Sequence, residues 1–255
     1  MKQLVKRLAT MAKPALEALC SGEAKLAEAW SAGAHKRLSF VQWRLSPTPE
    51  YFHHKIDLYW QWMATRSSFW VERGVYSTLA MKPGASILEL CCGDGFNAYA
   101  FYSKRAGSVV AVDFDPKAIA YAKRRFSAPN LTFRVADIRH EMPQGDFDNI
   151  VWDAAIEHFT ESEIANLMAQ VKQRLTKKTG VLSGYTIVER DDGIKHLHQH
   201  EYEFHSKQDL ERFLSPHFRN VTVFETVFPE RHNLYFWASD GVIPFAQDWA
   251  GKTGT

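Results

Sequence analysis

Short apolar runs alternate with amphipathic stretches from about Ala85 onward. The apolar runs read SILELCC, SVVAVDF, LTFRVAD, DFDNIVWDA and GVLSGYTIV. The stretches between them, such as KAIAYAKRRF and ESEIANLMAQVKQRL, carry apolar residues at helical spacing. Because apolar strands joined by helices form parallel sheets that are covered on both faces, this pattern predicts an α/β fold with a doubly wound, mostly parallel sheet.

Two further strand-like runs, VTVFETV and NLYFWAS, follow near the end of the chain with only a short connection between them. A short connection cannot make the crossover that parallel neighbours need. The two runs are therefore predicted to be antiparallel neighbours, which gives a seven-stranded sheet with an antiparallel last strand.

The N-terminal part has a different pattern. Residues from Met1 to about Ala34 form a predicted helix with leucines near one face, and Pro47 and Pro49 then break the chain. An aromatic-rich helical stretch is predicted from about Glu50 to Met81. We therefore expect a helical extension over residues 1–81, acting as a lid over the substrate, and a ligand-binding domain over residues 82–255. Packing of the first helix on its own domain is favoured over binding to a membrane or a partner.

Composition narrows the function classes. A net charge of +2 over 255 residues disfavours a broad basic footprint, so DNA is not an expected partner. No apolar run reaches the length of a transmembrane helix. The three cysteines include the adjacent pair Cys91 and Cys92 and show no metal-type CxxC spacing, which favours a reduced, cytoplasmic setting.

Candidate chemistry lies where the predicted strands end, because ligands of such sheets bind beyond the carboxyl ends of the strands. Four successive strands end near an acid, at Glu89, Asp113, Asp137 and Asp153. Helix capping explains any one of these acids and explains all four poorly. Gly93 and Gly95 follow the first strand and allow the backbone to approach a ligand closely.

A dinucleotide site is the competing interpretation. Gly93, Gly95 and Ala98 match G-x-G-x-x-A, with Asp113 at a suitable distance. A pyrophosphate at this helix N-terminus would, however, be flanked by the like charges of Glu89 and Asp94. Carboxylates suit a cationic ligand instead, such as one that bears an ammonium and a sulfonium.

Residues from about Ala85 to Ser239 resemble the class I S-adenosylmethionine-dependent methyltransferases. The segments LELCCGDG, VVAVDFDP, VAD and FDNIVWDAAIEHF are similar to four motifs of that family, in the same order. The resemblance implies a cofactor site of nine residues: Glu89, Cys91, Gly93, Gly95, Asp113, Phe114, Asp137, Ile138 and Asp153. In it Glu89 and the Gly93 region hold the methionine end, Asp113 holds the ribose with Phe114 beside the adenine, and Asp137 meets the adenine amino group with Ile138 near the ring. Cys91 departs from the pattern, because it stands where the first glycine usually is.

The acceptor side is predicted from two distant segments. The first contains Asp153, Glu157 and His158, and the second, HLHQHEYEFHS, contains His198 and His200. Acids and histidines beside a methyl donor can bind a divalent metal or act as a base. Three residues, Glu157, His158 and His200, resemble metal ligands of the small-RNA 2′-O-methyltransferases. In that family, glutamates and histidines hold a metal that binds the vicinal hydroxyls of the terminal ribose. An earlier glutamate ligand of that family corresponds to Ala154 here, so one ligand is missing. Asp153 is one position away and is a candidate to replace it.

Methylation of a hydroxyl on a sugar or another small polyhydroxylated acceptor is the leading hypothesis, with Asp153, Glu157, His158 and His200 as catalytic residues. Ribose methylation on RNA is the alternative enzyme reading, although the chain lacks a basic stripe. A non-catalytic S-adenosylmethionine-binding protein is the third hypothesis. It would be expected to lose polar residues on the acceptor side, and the sequence keeps them.

Overall fold

The computed structural model describes residues 2–41, 68–228 and 231–244. The chain divides into two compact units, Met1–Thr48 with Lys55–Ala64 and Pro49–His54 with Thr65–Thr255. In the described part of the chain, no helix combines the length and the apolar character needed to span a membrane. The extent of the helical extension and its role as a lid stay predictions.

The predicted N-terminal helix is present as α1, which spans Lys2–Phe40 and so runs beyond the expected end near Ala34. Pro14 lies inside it, where proline removes one backbone hydrogen bond. Of the aromatic-rich stretch, only α2 (Phe69–Leu79) belongs to the described residues. The predicted helix over 50–67 and the break at Pro47 and Pro49 lie outside them.

The sheet has seven strands in the order β3-β2-β1-β4-β5-β7-β6. Their bounds are β1 Ser86–Leu90, β2 Ser108–Asp113, β3 Leu131–Val135, β4 Asn149–Asp153, β5 Val181–Ile187, β6 Asn220–Phe228 and β7 Arg231–Ser239. β1 to β5 pair in parallel, and β7 runs antiparallel to both β5 and β6. The predicted seven-stranded sheet with its antiparallel last strand is confirmed.

The remaining helices follow strands of the sheet and are α3 Phe96–Ala100, α4 Pro116–Arg125, α5 Glu161–Arg174 and α6 Lys207–Leu214. Side chains cap the start of α4, α5 and α6. The side chain of Asp115 accepts from an N–H of α4, and Pro116 occupies the first turn. Thr160 and Glu163 form a capping box at the start of α5. The caps of α4 and α5 follow β2 and β4 closely, whereas α6 begins only after a long segment that follows β5.

The core covers both faces of the central strands, since every residue of β4 and β5 is buried. β1 lies between β2 and β4, and the chain continues outward from β1 through β2 and β3 before it returns to β4. The crevice beyond the carboxyl ends of β1 and β4 is therefore the topological switch point, where ligands of such sheets bind.

Candidate cofactor and acceptor site

The loop between β1 and α3 has three residues in the left-handed region of backbone conformation: Cys91 (φ 55°), Gly93 (φ 53°) and Gly95 (φ 76°). A Cβ on Gly95 would meet the Phe133 ring at 2.5 Å, so only glycine fits there. A Cβ on Gly93 would meet nothing within 4 Å. The backbone at Gly93 thus borders open space, as a loop that cradles a ligand requires.

Cys91 adopts the backbone conformation that a glycine would take at this position, although it carries a Cβ. Left-handed backbone costs a non-glycine residue about 1–2 kcal/mol. Burial, and next the carboxylate of Asp113, raise the pKa of the Cys91 thiol well above its usual range, so the thiol stays protonated. The departure from the glycine pattern therefore leaves the loop's shape intact at a cost in strain.

Glu89 is the acid that fits a cationic ligand best. Its side chain is buried, and its Oε2 atom has no hydrogen-bond partner among the described residues. Burial, and next the carboxylate of Asp153, raise the pKa of Glu89 well above its usual range. A buried acceptor without a partner is costly, and an ammonium group would satisfy it. The predicted role of Glu89 at the methionine end of the cofactor stays a prediction.

Asp113 connects the ends of β1 and β2. Its Oδ2 accepts the Gly93 N–H at 2.9 Å, and its Oδ1 accepts the Asp115 N–H at 2.9 Å. Burial raises the pKa of Asp113, although these two backbone donors lower it in part. Beside it the Phe114 ring is 62% exposed, which is unusual for an aromatic at a strand end. A carboxylate with remaining lone pairs next to an exposed ring suits a ribose and its base.

Asp137 and Ile138 lie after β3 and are engaged differently. The Arg139 side chain donates three hydrogen bonds to the Asp137 carboxylate, from Nε to Oδ1 at 2.9 Å and to Oδ2 at 3.2 Å, and from Nη2 to Oδ2 at 2.8 Å. These bonds lower the pKa of Asp137. The Ile138 side chain is buried in the core. An adenine amino group would have to compete with Arg139 for Asp137, and the predicted roles of Asp137 and Ile138 stay predictions.

Asp153 at the end of β4 belongs to a buried ion pair. Its Oδ2 accepts from Arg73 Nε at 2.8 Å and from Asn97 Nδ2 at 3.0 Å, and both donors are buried. Arg73 also lies over the Tyr185 ring, 5.5 Å from its centroid. Neither Arg73 nor Asn97 was predicted from the sequence, although a buried acid signals a need for such partners. The catalytic and cofactor roles of Asp153 stay predictions.

Glu157, His158 and His200 come together at the carboxyl ends of β4 and β5. Each offers a ligand atom, and these atoms lie within 4.8 Å of one another. The main-chain carbonyl of Glu157 accepts the N–H groups of Glu201 (2.9 Å) and Tyr202 (3.1 Å), which holds the later segment against the turn after β4. Asp153 does not join this group among the described residues.

Hydrogen bonds orient each member of the group. Glu157 Oε2 accepts from Thr186 Oγ1 at 3.0 Å, His158 Nδ1 lies 3.3 Å from the carbonyl of Gln199, and His200 Nδ1 lies 2.5 Å from Glu203 Oε1. The Nε2 atoms of the two histidines are therefore the nitrogens available to a ligand. Mixed carboxylate and imidazole ligands suit manganese, iron or zinc better than magnesium.

The other histidines of the later segment have separate partners or positions. His196 Nε2 lies 3.0 Å from the carbonyl of Val188, and His205 Nδ1 lies 2.6 Å from Glu189 Oε1. His198 is exposed. Of the predicted histidine pair His198 and His200, only His200 joins the group with Glu157 and His158.

Comparison with known proteins shows similarity to methyltransferases in sequence and in fold. Residues 87–180 match the family described as "Methyltransferase domain". Over 107 residues the chain is 30% identical to an uncharacterized methyltransferase from Synechocystis sp., a match that covers 41% of this chain and 48% of the relative. The chain thus spans about half the length of that relative.

Two solved structures share the fold. A putative methyltransferase from Bacillus halodurans has a TM-score of 0.54 at 15% identity, over 66% of this chain and 97% of that one. DhpI in complex with SAH has a TM-score of 0.51 at 21% identity, over 61% of this chain and 76% of that one.

Proposed function

We propose that this chain is a class I S-adenosylmethionine-dependent methyltransferase and that it methylates a hydroxyl oxygen of a sugar or another small polyhydroxylated acceptor. The observation that carries the proposal is the convergence of Glu157, His158 and His200 beside the predicted cofactor crevice. An oxygen acceptor needs such groups, because a hydroxyl is a poor nucleophile at neutral pH.

In this proposal the first two strand ends hold the cofactor. The unpartnered Glu89 Oε2 accepts from the ammonium group, Asp113 accepts from the ribose hydroxyls, and Phe114 covers one face of the adenine. When bound, S-adenosylmethionine supplies the methyl group by direct displacement at the sulfonium carbon and leaves as S-adenosylhomocysteine. The chain's contribution is to align acceptor and donor and to exclude water.

On the acceptor side, Glu157, His158 and His200 would activate the hydroxyl, and two versions are open. In the first, the three side chains hold a divalent metal, which would orient two adjacent hydroxyls and make one of them more acidic. In the second, His158 takes the proton of the hydroxyl directly, a role worth about 10²–10⁴-fold in rate. The cytoplasmic setting and the small-molecule acceptor are parts of the same proposal.

The test is a methyl-release assay with a panel of sugars, nucleosides and RNA, with and without a chelator. Turnover with a sugar that the chelator abolishes supports the metal version, and turnover that survives chelation supports the base version. His158→Ala should reduce turnover in both versions. Turnover confined to RNA would instead favour ribose 2′-O-methylation, to which the same three residues are suited. Cofactor binding without turnover on any acceptor would indicate a non-catalytic protein.

A further inference from the structure

A buried carboxylate, that of Glu203, contacts the Nδ1 side of the His200 ring. Glu203 and His200 are 8% and 3% exposed. Glu203 Oε1 lies 2.5 Å from His200 Nδ1 and also accepts the main-chain N–H of His196 at 2.7 Å. Neither the motifs nor the resemblance assigned this residue a role.

Burial makes this contact informative. A carboxylate is rarely buried unless its charge is paired and hydrogen-bonded, because removal from water is costly. The His196 main-chain N–H and the His200 ring both donate to one oxygen of Glu203, Oε1. The Glu203 carboxylate is therefore placed to orient the His200 ring.

The consequence for His200 concerns its second nitrogen. A carboxylate oxygen can only accept, so Nδ1 carries the proton that it donates to Glu203. A neutral ring then has its lone pair on Nε2, the atom that remains for the ligand group. The imidazole rings of His158 and His200 lie 4.8 Å apart at 76°, so the orientation of the His200 ring decides whether the group can converge.

The surrounding backbone would not fix this ring without help. His200 lies in the segment between β5 and α6, which contains no helix or strand. The segment is held at its base by a bridge between Val188 and Phe204 and by the contacts of Glu201 and Tyr202 with Glu157. These contacts position the backbone, whereas the tautomer and the ring angle of His200 depend on a side-chain partner.

We infer that Glu203 is a positioning residue, which sets the tautomer and orientation of His200 so that its Nε2 faces Glu157 and His158. The inference rests on the proposed function, because it needs the three-residue group to bind a metal. The carboxylate also polarises the ring and strengthens Nε2 as a ligand. Loss of such a supporting partner typically weakens metal binding by about 10- to 100-fold.

The test measures metal binding by the full chain rather than activity. Co²⁺ binding is followed by visible absorption and Mn²⁺ binding by calorimetry, for the parent, Glu203→Ala and Glu203→Gln. We expect Glu203→Ala to weaken metal binding by about 10- to 100-fold. Glu203→Gln should lose less, because its amide oxygen can still accept from Nδ1. The affinity for S-adenosylhomocysteine should stay unchanged in both variants.

A matched control is available in the same segment. Glu189 and His205 form a similar carboxylate–histidine pair at 2.6 Å, but both side chains are exposed and neither belongs to the ligand group. Glu189→Gln should leave metal affinity unchanged, which would exclude a general effect of altering this segment.

Three results would overturn the inference. Parent-like metal affinity in Glu203→Ala would do so while leaving the metal proposal intact. A parallel loss of metal affinity, cofactor affinity and melting temperature in both Glu203 variants would show that the residue only maintains the fold. If the parent binds neither Co²⁺ nor Mn²⁺, the metal version of the proposed function fails, and the positioning role fails with it.

Discussion

Glu89→Gln is expected to change stability and cofactor binding in opposite directions. Glu89 Oε2 is buried without a hydrogen-bond partner among the described residues, and Asp153 is the acid that contributes most to the raised pKa of Glu89. Glutamine has nearly the same shape and carries no charge. The substitution should therefore relieve electrostatic repulsion in the folded state and remove the charge that would attract an ammonium.

The magnitudes follow from the burial of the carboxylate. A buried acceptor without a partner costs about 1–3 kcal/mol, and the nearby Arg73 offsets part of this. We expect the free energy of unfolding to rise by about 1 kcal/mol, or roughly 2–4 °C in melting temperature. Loss of a hydrogen bond between charged groups should cost about 1.5–3 kcal/mol, or roughly 10- to 150-fold in the affinity for S-adenosylhomocysteine.

The stability gain should depend on pH with a definite sign. The pKa of Glu89 is raised in the folded state, so the folded chain holds this proton more tightly than the unfolded chain does. Parental stability from this group is complete below the ordinary glutamate pKa of about 4.3 and is lost as the pH rises through the folded-state pKa. The stability advantage of Glu89→Gln should therefore be absent below about pH 4 and should grow as the pH rises from there towards the folded-state pKa of Glu89.

Denaturant unfolding at several pH values and calorimetry with S-adenosylhomocysteine measure both effects. Asp148→Asn is a suitable control, because Asp148 Oδ2 accepts the Ser86 N–H at 2.9 Å at the opposite end of β1. That variant should lose stability and keep its cofactor affinity. An unchanged affinity in Glu89→Gln would refute the assignment of Glu89 to the methionine end, and a loss of stability would refute the argument from its unpartnered oxygen.

Four further changes test other parts of the site. Arg73→Met should lower the free energy of unfolding by about 3–5 kcal/mol, because it leaves Asp153 buried without its counter-ion. Adding Asp153→Asn should recover part of this loss. A cost below about 1 kcal/mol would contradict the buried ion pair. Cys91→Gly should raise the free energy of unfolding by about 1 kcal/mol, because it relieves the strain of left-handed backbone at this residue. A lower melting temperature in this variant would contradict that expectation. Asp137→Asn should weaken S-adenosylhomocysteine binding by about 1–3 kcal/mol if the adenine displaces Arg139, whereas an unchanged dissociation constant places Asp137 away from the adenine. Deletion through Ser46 should reduce turnover more than cofactor affinity if the N-terminal extension is a lid, and full activity in the truncated chain would make α1 an accessory.

Local sequence pattern was sufficient to predict the sheet and the edge at which the candidate site lies. Apolar runs of strand length define which segments become strands, and connection length defines which neighbours run antiparallel. Because parallel strands present their carboxyl ends at one edge, the order of the motifs alone placed Glu89, Asp113 and Asp153 there. The resemblance to the methyltransferase family predicted that the turn after β4 meets the segment after β5, because these strands are neighbours in that family's topology.

Side-chain partners were decided by the tertiary structure. Arg73 and Asp153 are separated by 80 residues, and their ion pair exists because α2 packs near the end of β4. The grip of Arg139 on Asp137 and the contact of Glu203 with His200 span only two and three residues, yet nothing in their spacing distinguishes them from solvated surface charges. Periodicity determines which face of an element is buried, whereas the partner of a buried charge depends on which elements meet above it. The pattern of strands and motifs therefore predicted that the acids lie at the edge of the sheet, and packing decided which of them are paired and which, like Glu89, keep an oxygen without a hydrogen-bond partner among the described residues.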